Sequence, residues 1–165
     1  MIVRTLAALV LGTFLMVPHA AIAQAGKPAA SEKAGDIEPQ VRTRTMTGTF
    51  GGQRVSYRAT MTETVLESDD GKPEAVIVTT SYVKDPRDAS RPVFFLFNGG
   101  PGSGSVWLQM GAFGPKRVAI PSDARDDGAP PYPLLDNPDS LLDVADLVFF
   151  DPPGTGFSYL TTATN

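Results

Sequence analysis

Two kinds of apolar pattern divide the chain. In TGTFGGQRVSYRATMTETVL, residues 47–66, apolar and polar positions alternate on either side of Gly51-Gly52, and Val55, Tyr57 and Ala59 fall on one face. That is the signature of a β-hairpin with one buried face. AVIVTTSYV, residues 75–83, is a third β-rich run, introduced by the turn sequence Asp69-Asp70-Gly71-Lys72-Pro73. After the turn segment DPRDASRP the pattern changes: VFFLF, residues 93–97, and LVFF, residues 147–150, are continuously apolar. Such runs are expected of strands covered on both faces. Each runs into a glycine-rich loop, FNGGPGSGSVW after the first and DPPGTGFSY after the second. Between them the sequence predicts a short helix over 105–112, stopped by Gly114-Pro115, a Pro- and Asp-rich excursion over 121–139, and a short helical or turn piece at 140–144. The order suggests an α/β sheet with an antiparallel edge, whose site lies in loops at the carboxyl ends of the buried strands.

The first residues change the compartment. MIVR supplies one positive charge, TLAALVLGTFLMV is an apolar run of 13, and AIAQ offers small residues at Ala21 and Ala23. This predicts a secretory signal peptide over 1–23 with Gln24 as first mature residue, and an exported protein, periplasmic or secreted. The run is too short to span a bilayer comfortably, and an uncleaved anchor is the alternative. Residues 24–44, rich in Ala, Lys, Glu, Pro and Gly without an apolar period, read as a disordered leader; residues 45–165 read as one domain.

Charge and composition then exclude chemistries. Of 14 basic residues Arg4 precedes the cleavage site and all 18 acidic residues follow it, leaving 13 against 18, a net charge of −5. That balance argues against nucleic acid or an anionic membrane as partner. The chain has no cysteine, so no disulfide framework is expected. Its one histidine, His19, would leave with the signal. The mature chain therefore cannot by itself assemble a Ser-His-Asp triad, a Cys-His dyad or a histidine-bearing zinc site, and no metal or cofactor is expected.

Four glycines, a proline and two serines in the seven residues after Asn98 must either permit unusual backbone angles or let something approach the main chain. Phosphate loops fail: a Walker loop needs a lysine that GGPGSGS lacks, and a dinucleotide fingerprint meets Ser105 or Tyr159 where its sixth-place glycine should stand. DARDDG, residues 123–128, has Arg125 and Leu134 where calcium ligands belong, so Asp123, Asp126 and Asp127 read as a solvated face. An oxyanion loop fits better, because strand, glycine turn and helix in that order can bare an amide toward a developing anion.

The segments RPVFFLFNGGPGSGSVW, GAFGPKRV and NPDSLLDVADLVFFDPPGTGFSY, within residues 91–159, closely resemble the amino-terminal part of the serine carboxypeptidase family, in its bacterial exported branch. NGGPG after an apolar strand, with DxPxGTGFS some fifty residues on, carries the resemblance. It implies an α/β hydrolase that removes carboxyl-terminal residues from peptides through a Ser-His-Asp triad. By that resemblance Gly100 gives an oxyanion-hole amide, and Asn98 and Gly99 lie where the substrate's terminal carboxylate is held; the partner is a peptide with a free carboxyl terminus. Two departures stand out: Ser103 where many eukaryotic members carry cysteine, and Ala112 where they carry a carboxylate-binding glutamate. The family's nucleophile motif and its later aspartate and histidine are not found in these 165 residues. The expectation is thus an incomplete α/β-hydrolase sheet, the amino-terminal portion of a carboxypeptidase, inactive alone. A non-catalytic exported fragment binding peptides or carboxylates, and an esterase of the same fold, are the alternatives.

Individual residues carry competing roles. Gly99, Gly100 and Gly102 could simply make a tight turn, and Asn98 could bond its own loop instead of a substrate. Ser158 in GFSYL lacks the second glycine of a nucleophile elbow, because Leu160 stands there, and reads as a packing serine. Ser103 and Ser105 read as hydroxyls at a helix start. Asp151 precedes any nucleophile and reads as a turn-holding residue rather than a triad acid. Trp107, Phe113 and Phe157 are expected in the core, with a pocket wall as the alternative.

Overall fold

The computed structural model describes residues 37–99, 102–120 and 130–161, all within one unit, Ser31–Asn165. The expected signal peptide, the leader up to residue 36 and the acidic DARDDG segment lie outside the described residues.

A hairpin starts the sheet. β1 (Val41–Phe50) and β2 (Gln53–Glu67) pair antiparallel from Phe50↔Gln53 to Val41↔Thr62. The turn between them is Gly51-Gly52, with φ of 52° and 78°. Two consecutive positive φ values make the turn whose twist suits a two-residue hairpin, and glycine adopts them without a Cβ clash. β3 (Pro73–Lys84) adds antiparallel to β2. β4 (Val93–Leu96) follows, and then α1 (Val106–Leu108), a single turn that widens into a π-helical turn over Gln109–Phe113. β5 (Lys116–Val118) and β6 (Leu134–Asp136) form a separate two-stranded ribbon. A 3₁₀ turn at Leu141–Asp143 leads into β7 (Asp146–Phe150), and β8 (Tyr159–Leu160) closes the series. The main sheet has the order β1-β2-β3-β7-β4, with β8 on β3. β7 lies antiparallel to β3 and parallel to β4, so the sheet is mixed and carries few helical residues.

The alternation read from the sequence builds the core. Phe50, Tyr57, Tyr82 and Phe149 contact one another edge to face in a row, with ring centroids 5.9, 6.0 and 5.9 Å apart. Val55, Leu142 and Leu147 join them, and Ala59 and Phe113 pack against the cluster. Edge-to-face pairs place the positive ring edge on the negative face, adding to the gain from burial. Among the described residues the buried Tyr57 hydroxyl has no hydrogen-bond partner. Burial pushes its ionisation up to about 12, with smaller contributions from Tyr82 and Asp136.

A buried ion pair fixes the start of the parallel pair. The side chains of Arg91 and Asp146 are each only 8% exposed, and Arg91 Nε donates to Asp146 Oδ1 at 3.1 Å. The guanidinium also donates to the carbonyls of Asp143 and Leu142, while Asp146 accepts the Lys84 amide. Asp146 N donates in turn to Pro92 O. With donors and acceptors matched, the desolvation cost of two charges is offset and the pair sets register.

Four expectations change. Order begins at least as early as β1 at Val41, so residues 41–44, assigned to the leader, belong to a strand. These residues are exposed and form a sheet edge, so no apolar period announced them. β4 is not covered on both faces: Val93, Phe94 and Phe95 are 47%, 43% and 68% exposed, and among the described residues β4 is an edge strand with only β7 beside it. The 105–112 helix is one α turn plus a π turn, ended by Gly114, whose N–H donates to Gln109 O. β6 emerges from the stretch expected to be all turn, held by cross-strand pairing to β5 where LLD gave no alternation to read. The expected turn at 140–144 is present as the 3₁₀ piece. Among the described residues no helix is long and apolar enough to cross a membrane.

Candidate active site

Because β4 and β7 run parallel side by side, their carboxyl ends deliver two loops to the same edge of the sheet. Residues 97–105 leave β4 and residues 151–158 leave β7. Asp151 joins them. Its Oδ1 accepts the Ser105 N–H at 2.6 Å and its Oδ2 accepts the Phe157 N–H at 2.9 Å. The residue is 6% exposed and both oxygens are bound to main-chain amides, which satisfies a buried carboxylate with donors instead of a counter-charge.

Glycines make this junction possible at two places. A Cβ on Gly104 would stand 3.0 Å from the Gly156 Cα, so the two loops meet backbone to backbone. Gly156 itself has φ of +54°, and a Cβ there would overlap the Asp151 carboxyl. Both readings of the glycine loop therefore apply within it, since Gly102 adopts φ of +83° while Gly104 permits close approach. Gly99 differs from both: it is exposed and the space beside it is open. Gly100, expected to donate the oxyanion amide, lies outside the described residues.

Asn98 ties the loop to itself. Its Nδ2 donates to Gly104 O at 2.7 Å and to Ser103 Oγ at 3.2 Å, using both amide protons inside the loop. Ser105 does not cap α1 with its hydroxyl; instead its carbonyl accepts the N–H groups of Leu108 and Gln109, and its own N–H goes to Asp151. Ser103 is likewise engaged with Asn98, so neither serine caps through its side chain. Ser158 is the packing serine the sequence suggested: it is buried, its Oγ donates to Asp151 O at 2.7 Å and accepts the Val78 N–H at 2.8 Å. Both bonds hold the Ser158 hydroxyl within the fold.

The aromatic residues divide. Phe113 packs on the core, but Trp107 and Phe157, expected there, are 72% and 70% exposed. Each follows a glycine loop directly, at the start of α1 or the tip of the β7 loop, where no described element lies over it. They flank the paired loops as apolar surface beside polar backbone.

Beneath the loops lie contacts the sequence did not disclose. Gln109 Nε2, in the π turn, donates to Tyr82 Oη at 2.7 Å, linking the helix after the glycine loop to the aromatic row. Burial raises the Tyr82 ionisation and the Gln109 hydrogen bond moderates the rise. Asn137 is buried and donates to the carbonyls of Ala112 and Gly114, while Ser140 donates to that of Phe113. These carbonyls end the π turn and would otherwise lack partners. The only signal was an Asx-type turn sequence, Asn137-Pro138-Asp139. Among the described residues no cluster of three or more His, Cys, Asp or Glu could hold a metal ion.

A family model described as serine carboxypeptidase matches residues 80–165, more than half of the chain. The chain belongs to the serine carboxypeptidase family. The matched segment runs from the middle of β3 and contains both glycine loops, Asp151, and the parallel pair that aligns them. β1, β2 and the first part of β3 precede it and pair antiparallel.

Proposed function

We propose that this chain supplies the oxyanion-hole and terminal-carboxylate part of a serine carboxypeptidase site. The observation that carries the reading is the Asp151 junction, which unites the two glycine loops at the carboxyl ends of β4 and β7 within the family-matched segment. In this reading Gly100 N–H donates to the oxyanion of the tetrahedral intermediate. Donors fixed before the reaction stabilise that charge without reorganising. Gly99, exposed and unobstructed, offers backbone to the substrate's terminal carboxylate. Asn98 shapes the same loop and reaches the carboxylate by releasing its longer bond, to Ser103.

The nucleophile and base come from polypeptide other than these residues. The chain has no cysteine, and its single histidine is His19 in the expected signal peptide. Ser158 and Asp151 are both engaged in structural hydrogen bonds. The protein acts after export, in the periplasm or outside the cell, on peptides with a free carboxyl terminus. Ala112, where a carboxylate-binding glutamate stands in many eukaryotic relatives, favours a second reading, an esterase with the same oxyanion loop. A third, peptide or carboxylate binding without cleavage, is favoured by the histidine count.

The test compares peptides ending in a free carboxylate with the same peptides amidated, using a catalytically competent protein that contains these loops. Carboxypeptidase function predicts hydrolysis of the free-acid peptides at least about tenfold faster, as expected for loss of a charge-assisted contact. Equal rates, or activity confined to esters, would overturn it.

A further inference from the structure

At the other end of the parallel strands a cavity of about 370 Å³ opens on the sheet face opposite the aromatic core. It is lined by Val83, Val93 and Val148 together with Arg58, Thr60 and Arg87. Val93 is the first residue of β4, so the opening sits away from the glycine loops and does not depend on their role.

The charges around it are unevenly matched. Asp146 also lines the cavity but is neutralised by Arg91 and accepts the Lys84 amide. Asp88 is engaged by Ser90, through both its N–H and its hydroxyl. Among the described residues Arg58 has only Asp85, at 4.0 Å in an exposed pair worth little. Arg87 has no ion-pair or hydrogen-bond partner among the described residues. Two arginines and three valines thus line one cavity, and the guanidinium donors are largely unspent among the described residues.

From this arrangement we infer that the cavity binds a small carboxylate with an apolar body. A guanidinium presents paired donors in the plane and spacing of a carboxylate, and the valines would cover the remainder of the ligand. Inorganic phosphate fits less well, because it has no apolar part to cover Val83, Val93 and Val148.

The probe is phenylacetate, titrated into the 165-residue chain by calorimetry and by methyl NMR, with phenylacetamide and inorganic phosphate as comparisons. Saturable phenylacetate binding is expected, with shifts at Val83, Val93 and Val148. Binding should weaken at least about tenfold for phenylacetamide and for Arg87→Gln, the effect of one lost charged hydrogen bond. Arg87 and Arg58 are both exposed, so the fold should survive either change; Arg58→Gln gives a second arm if Arg87→Gln alters the circular dichroism. Equal affinity for acid and amide, unchanged binding in both variants, tighter binding of phosphate, or no saturation by about 10 mM would each overturn the inference.

Discussion

Asp151 decides most at the scale of single residues, because its two oxygens hold amides from two loops and its own carbonyl receives Ser158. Asp151→Asn keeps the size but presents an NH₂ to a backbone N–H, leaving a buried donor unpaired. The expected cost is about 1 to 3 kcal/mol in urea unfolding, with faster hydrogen exchange at Ser105 and Phe157. Unchanged protection at both amides would contradict the junction. The sequence marked Asp151 as a turn residue but could not show its partner in the other loop, 46 positions away. Tyr57 is the opposite case, a buried hydroxyl without a hydrogen-bond partner among the described residues. Its ionisation is raised from 10.0 to about 12, so the folded state favours the neutral phenol. That contribution is complete below pH 10 and lost as pH rises toward 12. Tyr57→Phe should leave stability at pH 7 equal or higher, by up to about 1 kcal/mol, and flatten the alkaline decline. A loss above about 1 kcal/mol at neutral pH would show that the hydroxyl has a partner after all.

Among elements, legibility followed burial of one face. The β1–β2 hairpin was visible because Gly51-Gly52 separates alternating runs and Val55 and Tyr57 do face the core. The first residues of β1 were not, since main-chain pairing at an exposed edge leaves no mark on composition. β4 misled in the other direction: VFFL reads as doubly buried, yet its flanking order places it at the end of the described sheet. Glycines within one loop also differ in ways their spacing hides. Gly156→Ala sets a methyl against the Asp151 carboxyl at φ +54° and should destabilise by about 2 kcal/mol or more. Gly99→Ala enters open space and should change stability by no more than about 0.5 kcal/mol. Paired thermal melts check this; equal shifts would mean that the loops do not meet as described.

At the scale of the molecule, a mixed sheet uses the parallel pair β4–β7 to bring two glycine loops together, and the ion pair Arg91–Asp146 sets that pair's register from the opposite end. The family was legible because NGGPG and DPPGTGFS are local motifs, and the same motifs mark the two candidate loops. The clamp by Asn98, the Asp151 bridge and the Gln109–Tyr82 link to the core were not, since each depends on chain segments meeting in space. The proposed function rests on Gly100 as an oxyanion donor. Its most direct test is Gly100→Val in a catalytically competent protein containing both loops, measured as separate kcat and KM for peptide hydrolysis. The account predicts a fall in kcat of about 10² to 10³ with KM changed little, and an unchanged kcat would contradict it.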